Sequence, residues 1–499
     1  MNRPTLRLPM LPLLAAFVAG LVAEWMFEIP TAVTIICGLI CYITALISRR
    51  AKEIALFLAF GFTGVLFARG DRPTILPSFD TPLMLELSIN EPTTDRGRYQ
   101  SSSARIDRFR TADGEWHTSN RRVIIWTDDS SQLAMGERIC LSTTIRPISD
   151  TTNSYSRLME ARGYIGRISI GSATPIVPLG QCSSLRIASL RLQQIVFQKL
   201  RSTALEGDQL ALCAAMTTGR RSEMSAALRE SYARSGAAHL LAVSGLHVAI
   251  ILVLANLLLR WVVFLDNGHR WLNIIVLTAV WLFAVITGMS VSALRATLMF
   301  SALQLSDTID GTYRSGNILA TVALVMLAVE PSLWRDVSFQ FSFVAVAAIL
   351  YWAVPLQRTL RTRSEIANFL IATIIVGLAA SLATMPLMSF WFGRVSLIGV
   401  VLNPLVILLA YGVVSFSIAT LILPSTWVWL AKVAGAMAEL MNRSVAVAAE
   451  MRGTTLEEQI DWWAIPIFYI VAIAITELIR YIARKKSLSL QKYQFKRRL

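Results

Sequence analysis

Four groups of polar residues interrupt long apolar runs in this 499-residue chain. The first is His239, Ser244, Gly245 and His247, within SGAAHLLAVSGLHV at 235–248. The second is Ser290, Ser292 and Arg295, inside 287–300. The third is Arg335, Asp336, Ser338, Gln340 and Ser342, and the fourth is Asn403-Pro404. Polar groups at membrane depth are costly unless they face a cavity or a partner. Glycine there lets another backbone or a ligand come close. Several chemistries can be weighed on these residues. His239 and His247 are eight positions apart, about 12 Å along a helix and roughly 80° around it. Helical zinc pairs sit four apart, so no metal site is expected. Ser244 and His247 share a helix face, as a nucleophile and its base would. A serine enzyme also needs an oxyanion site and a group to orient the base. Asp336 is a candidate for that orienting role, and nothing else in the sequence supports it. Arg295 and Asp336 are candidates for a buried ion pair, because an unpaired charge there is expensive. The plain structural reading is that these groups hold helices together. There is no HxHxDH run, no Walker loop and no GxGxxG on a strand. No catalytic residue, cofactor or nucleotide motor is therefore expected.

The elements that must position these residues are membrane spans. The chain is 55% hydrophobic, with a mean hydropathy of +0.55. That apolar content lies in long runs, which defines a polytopic α-helical membrane protein. Arg3 and Arg7 precede the run 10–27, which resembles a signal peptide in outline. Further runs at 31–47 and 54–67 follow at once, so the first is expected to be retained. Arg49, Arg50 and Lys52 between spans should be cytoplasmic, as should Arg358, Arg361 and Arg363. From His239 onward, runs fall near 239–265, 272–288, 291–306, 315–330, 338–357, 366–392, 396–423 and 462–481. Several are short or broken, and the total is about 11–12 spans. The segment 425–450 carries Lys432, Glu439 and Arg443 and either spans or lies in the interface. If it spans, the basic tail lies inside.

Residues 70–184 change character. Short alternating stretches at 83–89, 102–110, 121–127, 138–145 and 164–170, with a helical piece near 155–162, suit a small all-β barrel of OB type. Arg105, Arg108 and Arg110 alternate beside Phe109, and Arg121 and Arg122 precede Trp126. Such a face suits a single-stranded nucleic acid; a merely solvated face is the competing reading. Cys140 and Cys182 could pair if the region is extracytoplasmic. Residues 185–238 read as amphipathic helices lying along the membrane surface. The net charge of +15 is consistent with basic cytoplasmic loops plus a polyanionic partner.

The four constellations resemble the ComEC family, the inner-membrane DNA channels of natural transformation. The matching stretch is LALCAAMTTGRRSEMSAALRESYARSGAAHLLAVSGLHVAII at 210–251. It is followed in family order by GMSVSALRATLM, EPSLWRDVSFQFSFVAV and MPLMSFWFGRVSLIGVVLNPLVI. Three spans and an OB-like domain upstream are also similar to the family, so the resemblance covers nearly the whole chain. It implies five regions: a three-span region at 1–69, an extracytoplasmic OB-like domain at 70–184, surface helices at 185–238, a competence-type channel domain at 239–482 and a basic tail at 483–499. It implies a passive conduit for single-stranded DNA in the bacterial inner membrane. The residues expected to line or gate it are His239, Ser244, Gly245, His247, Ser292, Arg295, Asp336, Gln340 and Asn403. Arg105, Arg108, Arg110, Arg121 and Arg122 are expected to bind DNA. The partners implied are the bilayer, a periplasmic DNA receptor, and a cytoplasmic ATPase or single-strand-binding proteins. Many members add a C-terminal metallo-β-lactamase-like domain. This chain stops at Leu499 without one, so strand degradation is expected either from a separate nuclease or not at all. Two other classes stay open: a transporter of an anionic or lipid-linked solute, and an intramembrane hydrolase.

Overall fold

Each apolar run becomes a helix, because lipid offers no partner for free backbone groups and a helix satisfies them within one segment. The computed structural model describes residues 10–496 apart from 28, 49, 71–78, 80, 92, 96–98, 112–113, 129–132, 149–153, 172–173, 265–266, 310–314, 425, 452 and 454. Arg3, Arg7 and the last three residues of the basic tail lie outside the described residues. Helices α1 (Met10–Phe27), α2 (Thr31–Ile47) and α3 (Lys52–Gly70) pack as a trio. A Cβ on Gly20 would overlap the Gly61 carbonyl, and one on Gly64 the Phe17 carbonyl. The α1 and α3 backbones therefore touch, as small residues allow between membrane helices. The Glu24 carboxylate accepts from Arg69 Nε at 2.9 Å, Arg69 Nη2 at 3.1 Å and the Ile29 N–H at 3.1 Å. This forked ion pair pins the end of α1 to the end of α3.

Nine strands then form one sheet: β1 (Pro82–Ile89), β2 (Thr94–Asp95), β3 (Gln100–Arg110), β4 (Trp116–Thr118), β5 (Arg122–Thr127), β6 (Glu137–Thr144), β7 (Arg146–Pro147), β8 (Tyr164–Ile170) and β9 (Val177–Gln181). β6 and β7 are one strand broken at Ile145. β6 pairs with β1 and β7 with β8, so the path β1–β3–β5–β8–β7/β6–β1 closes. β5–β8 is its parallel pair. This is the small Greek-key closure of an OB-type barrel. Helix α4 (Ser154–Ala161) precedes β8, as the alternation in the sequence suggests. Alternate residues such as Leu85, Leu87, Ile106, Val123, Ile125 and Ile168 fill the interior.

After the barrel come α5 (Leu185–Arg201), α6 (Gly207–Thr218), α7 (Ala226–Arg234) and a 3-10 turn at Ala238–Leu241. The expectation of surface-lying helices is corrected for α6. Every residue from Ala211 to Thr218 is buried, and α6 packs against the helices Ile398–Ile422 and Val428–Glu450. Its small side chains and lack of a charged face let it sit inside the bundle. The remaining helices are α8 (Gly245–Leu259), α9 (Gly268–Ile286), α10 (Val291–Ile309), α11 (Ser315–Val329), α12 (Val337–Ala348), α13 (Val354–Thr359), α14 (Glu365–Phe392), α15 (Ile398–Ile422), α16 (Val428–Glu450) and α17 (Ala464–Lys496). A π-helical turn at Ile349–Ala353 joins α12 to α13. Among the described residues seven helices are long and apolar enough to cross a membrane, and three more apolar helices are shorter: Thr31–Ile47, Val291–Leu305 and Ser315–Val329. This is a multi-pass membrane protein.

The fate of 425–450 is legible from two short strands. β10 (Val395–Ser396) just precedes α15, β11 (Thr455–Leu456) just follows α16, and the two pair. α15 and α16 lie side by side along this hairpin, with Gly412 against Met437 near its middle. α16 therefore returns over the depth that α15 covers. α17 then runs back along α14: Tyr469 donates to the Ala383 carbonyl at 2.8 Å, and Arg480 to the Tyr351 carbonyl at 2.7 Å. The C-terminal part of α17 thus emerges at the end of the bundle that also holds the loop with Arg358, Arg361 and Arg363. The barrel sits at the other end, where α4 packs on the C-terminal turns of α14.

Candidate functional site

Five helices close a ring. α8 packs on α10, α10 on α12, α12 on α14, α14 on α15 and α15 on α8. Four of them carry polar residues that the sequence singles out, and α14 supplies Ser381 and Trp391 as their partners. On α8, Ser244 is the N-cap, and its backbone N–H donates to His247 Nδ1 at 3.2 Å. Ser244 Oγ lies 3.0 Å from the same nitrogen. A backbone N–H can only donate, so Nδ1 accepts and the neutral ring carries its hydrogen on Nε2. Nε2 is buried without a partner. That is where a triad's orienting carboxylate would bind, and Asp336 does not reach it. The contact is a helix cap first.

On α10, Arg295 is 1% exposed. Its Nη2 donates to Ser292 Oγ at 3.3 Å and to Ser338 Oγ of α12 at 3.4 Å, while Nε and Nη1 are buried without partners. The expected ion pair with Asp336 is not made among the described residues. Asp336 instead caps α12, accepting from the Phe339 N–H at 2.8 Å, and acts on Arg295 only at longer range. Helix capping outcompetes the pair because Asp336 stands at the first free N–H groups of α12. Gln340 donates to the Trp334 carbonyl at 3.0 Å and accepts from Trp391 Nε1 at 2.9 Å. Both ends of its amide are engaged, so it clamps α12 to α14. On α15, Asn403 donates to Ser381 Oγ of α14 at 3.2 Å, and its Oδ1 is buried without a partner.

Gly245 does not mark the close approach expected of it. A Cβ there would stand 3.9 Å from Ala296 Cβ, an ordinary contact. The tight place is nine residues earlier. Gly236, at φ +78°, meets Gly399 at the start of α15, and a Cβ on Gly399 would lie 2.9 Å from the Ser235 carbonyl. This seats the 3-10 turn, with His239, over the ring. His239 Nδ1 donates to the Gly236 carbonyl at 3.2 Å. His239 and Arg221 both act electrostatically on the His247 ring, so the 3-10 turn and the loop between α6 and α7 stand over the head of α8.

On the barrel, β3 turns Arg105, Arg108 and Arg110 outward and Ile106 and Phe109 inward. Phe109 is therefore core, not a stacking platform. Arg105 pairs with Asp107 at 3.0 Å and stands opposite Arg122 in register. Arg110 donates to the Gly114 carbonyl at 2.9 Å. Arg108 is exposed opposite Glu86, and Arg121 is half-buried before β5. The ring platform that the sequence reading missed is Tyr99 against Trp126, centroids 4.7 Å apart, with the Arg167 guanidinium 4.8 Å from the Trp126 ring. Strand alternation on β8, beside β5, is the signal that could have placed Arg167 there. Cys140 and Cys182 are free. Cys140 stands opposite Val177, while Cys182 lies beyond Gln181, which is opposite Glu137. Four strand positions separate the two, roughly 13 Å, where a disulfide needs Cα atoms within about 7 Å.

Fold and site together define a class: a multi-pass membrane protein in which an OB-type barrel stands over a ring of helices marked by buried polar groups. A family model described as competence protein matches residues 216–481, more than half of the chain, and the chain belongs to that family. It is 26% identical over 223 residues to ComE operon protein 3 of Bacillus subtilis (strain 168). That match covers 44% of this chain and 27% of the relative, so the chain spans only about a quarter of the curated relative it matches. No solved structure matches the chain.

Proposed function

We propose that this protein conducts single-stranded DNA across the bacterial inner membrane during natural transformation, from the barrel side inward, as a passive conduit. The observation that carries the reading is the closed ring of five helices with Arg295 inside it, two of its guanidinium nitrogens buried and free. A strand crossing a bilayer needs a path that offsets phosphate charge without holding it tightly. One arginine among serines, an asparagine and a neutral histidine has that balance. The charge pattern supplies the direction. Arg50 and Lys52, and the loop with Arg358, Arg361 and Arg363, sit with the C-terminal part of α17 at the end away from the barrel. The positive-inside rule makes that end cytoplasmic and the barrel extracytoplasmic. Trp126, Tyr99 and Arg167 offer a stacking platform there for unpaired bases.

A periplasmic DNA receptor would deliver the strand. A cytoplasmic ATPase or single-strand-binding proteins would pull it. The Ser244–His247 contact has the spacing of a nucleophile and base, and we assign it to capping. An activity probe for serine hydrolases that labels Ser244 in the intact protein contradicts this assignment. The decisive test of transport uses labelled DNA in a deletion strain. DNA held in the periplasm and absent from the cytoplasm is the expected result. Undiminished cytoplasmic arrival, with no redundant homologue present, refutes the conduit.

A further inference from the structure

The seam between the barrel and the membrane helices gathers several arginines. Arg157, on α4, lays its guanidinium 5.6 Å from the Phe390 ring of α14. Its Nε and Nη2 are buried without a hydrogen-bond partner. Arg162 follows α4 directly, and its electrostatic neighbour across the seam is Arg221, on the loop between α6 and α7. Arg221 has Arg229 as its other charged neighbour. Among the described residues none of Arg157, Arg162 and Arg221 makes an ion pair. Guanidinium groups gathered at a junction repel one another, and free buried donors cost stability. A multivalent anion seated among them relieves both.

The cluster also connects two regions already described. Arg122 of the barrel face stands beside Tyr164 in register, and Glu91, Arg122 and Arg162 all act electrostatically on Tyr164, two cations against one acid. Arg221 at the other end acts on His247, at the head of the ring. Net positive charge thus runs from the outer face of β5, across the seam, to the 3-10 turn above α8.

We propose that Arg157, Arg162 and Arg221 form a phosphodiester-binding seam that passes a nucleic acid strand from the barrel face to the 3-10 turn over the helix ring. This deepens the transport reading and rests on it. The alternative source of the same chemistry is a lipid headgroup, which the test separates. The full chain is placed in phosphatidylcholine nanodiscs, and binding of a fluorescent oligo-dT is followed by anisotropy across a salt series. The double variant Arg162→Gln/Arg221→Gln alters two exposed side chains. It is expected to weaken binding at least tenfold and to flatten the logarithmic salt slope by about 1.4, two single-strand phosphate contacts. An unchanged slope overturns the seam, whether or not the variant also loses phosphatidylglycerol in native mass spectra. A parent protein that binds no oligonucleotide at all removes the transport reading together with the seam. Where the double variant does not stay monodisperse, a photocrosslinking amino acid at position 162 replaces it. Capture of the oligonucleotide supports the seam, and failure to capture it overturns it.

Discussion

Arg295→Met separates a functional charge from a structural one. The parent side chain is almost wholly buried, with two long contacts, at 3.3 and 3.4 Å, to serine hydroxyls and two nitrogens unpartnered. Losing those contacts costs about 1–2 kcal/mol, at the weak end for hydrogen bonds to a charged group. Removing the buried charge returns several kcal/mol of desolvation, and methionine keeps most of the volume. The net expectation is a protein as stable as the parent or more stable by about 1–4 kcal/mol. Transformation should move the other way. One charge-assisted phosphate contact contributes about 1.5–3 kcal/mol, which is roughly 10- to 150-fold in frequency if that contact limits passage. The assays are thermal aggregation of the detergent-solubilised protein and transformation frequency from matched expression levels. A variant that is markedly less stable refutes the argument, since Arg295 would then have a structural partner. A variant that is stable and fully transformable removes Arg295 from the conduit.

Gly399→Ala should destabilise the protein by about 1–3 kcal/mol, because the new Cβ meets backbone at Ser235 and Gly236. Gly245→Ala, with its nearest neighbour at 3.9 Å, should be neutral, and thermal unfolding of the two side by side checks both. Trp126→Ala in the full chain should weaken oligo-dT binding by about 1–3 kcal/mol while leaving the expression level unchanged; unaltered affinity removes the stacking platform. Cys140 and Cys182 should both be alkylated by maleimide after unfolding without reductant, and a mass shift requiring prior reduction contradicts the separation read from the β6–β9 register. Reporter fusions at Arg361 and Arg484 should both report the cytoplasm and a fusion in the β3–β4 turn the periplasm; opposite signals from the first two would show that α16 does not span.

The sequence was most legible where a period or a composition carries the information. Alternation located the five long strands, and the helical piece before β8, because one face of each strand is buried and the other is wet. It could not show that Phe109 turns inward beside three outward arginines, since a register shift in the β1–β3 pairing intervenes between Arg108 and Ile106. Long apolar runs located the spans, and they misplaced α6, which is too short and too small in its side chains to announce itself as interior. The polar residues of α8, α10, α12 and α15 were picked out by type, while Ser381 and Trp391 of α14 were not. The pairings were not legible either, because hydrogen-bond choice is settled by a few ångströms of tertiary geometry. Asp336 capping its own helix instead of pairing with Arg295, and Gln340 spent on Trp334 and Trp391, are of this kind.

The placement of those polar groups follows one rule. α8, α10, α12 and α15 all begin at the barrel end of the ring, and α14 ends there. Four helix N-termini therefore direct their partial positive charge toward the mouth. Left bare, they would hold an anion firmly. Ser244 with His247 and Asp336 occupy the first free N–H groups of α8 and α12, and Ser290 accepts from the Ala293 N–H at 3.3 Å at the start of α10. These caps blunt the field at three of the four N-termini, α15 having Leu397 at its start and no side-chain cap, and the full charge is supplied by Arg295 inside the ring. Within the transport reading, a phosphate is drawn in from the arginine-rich seam by a field that does not trap it at the helix ends. It then meets a single strong site within the ring, which the next phosphate along the strand can claim in turn. Weak capture followed by exchange is what a passive conduit for a long polyanion requires.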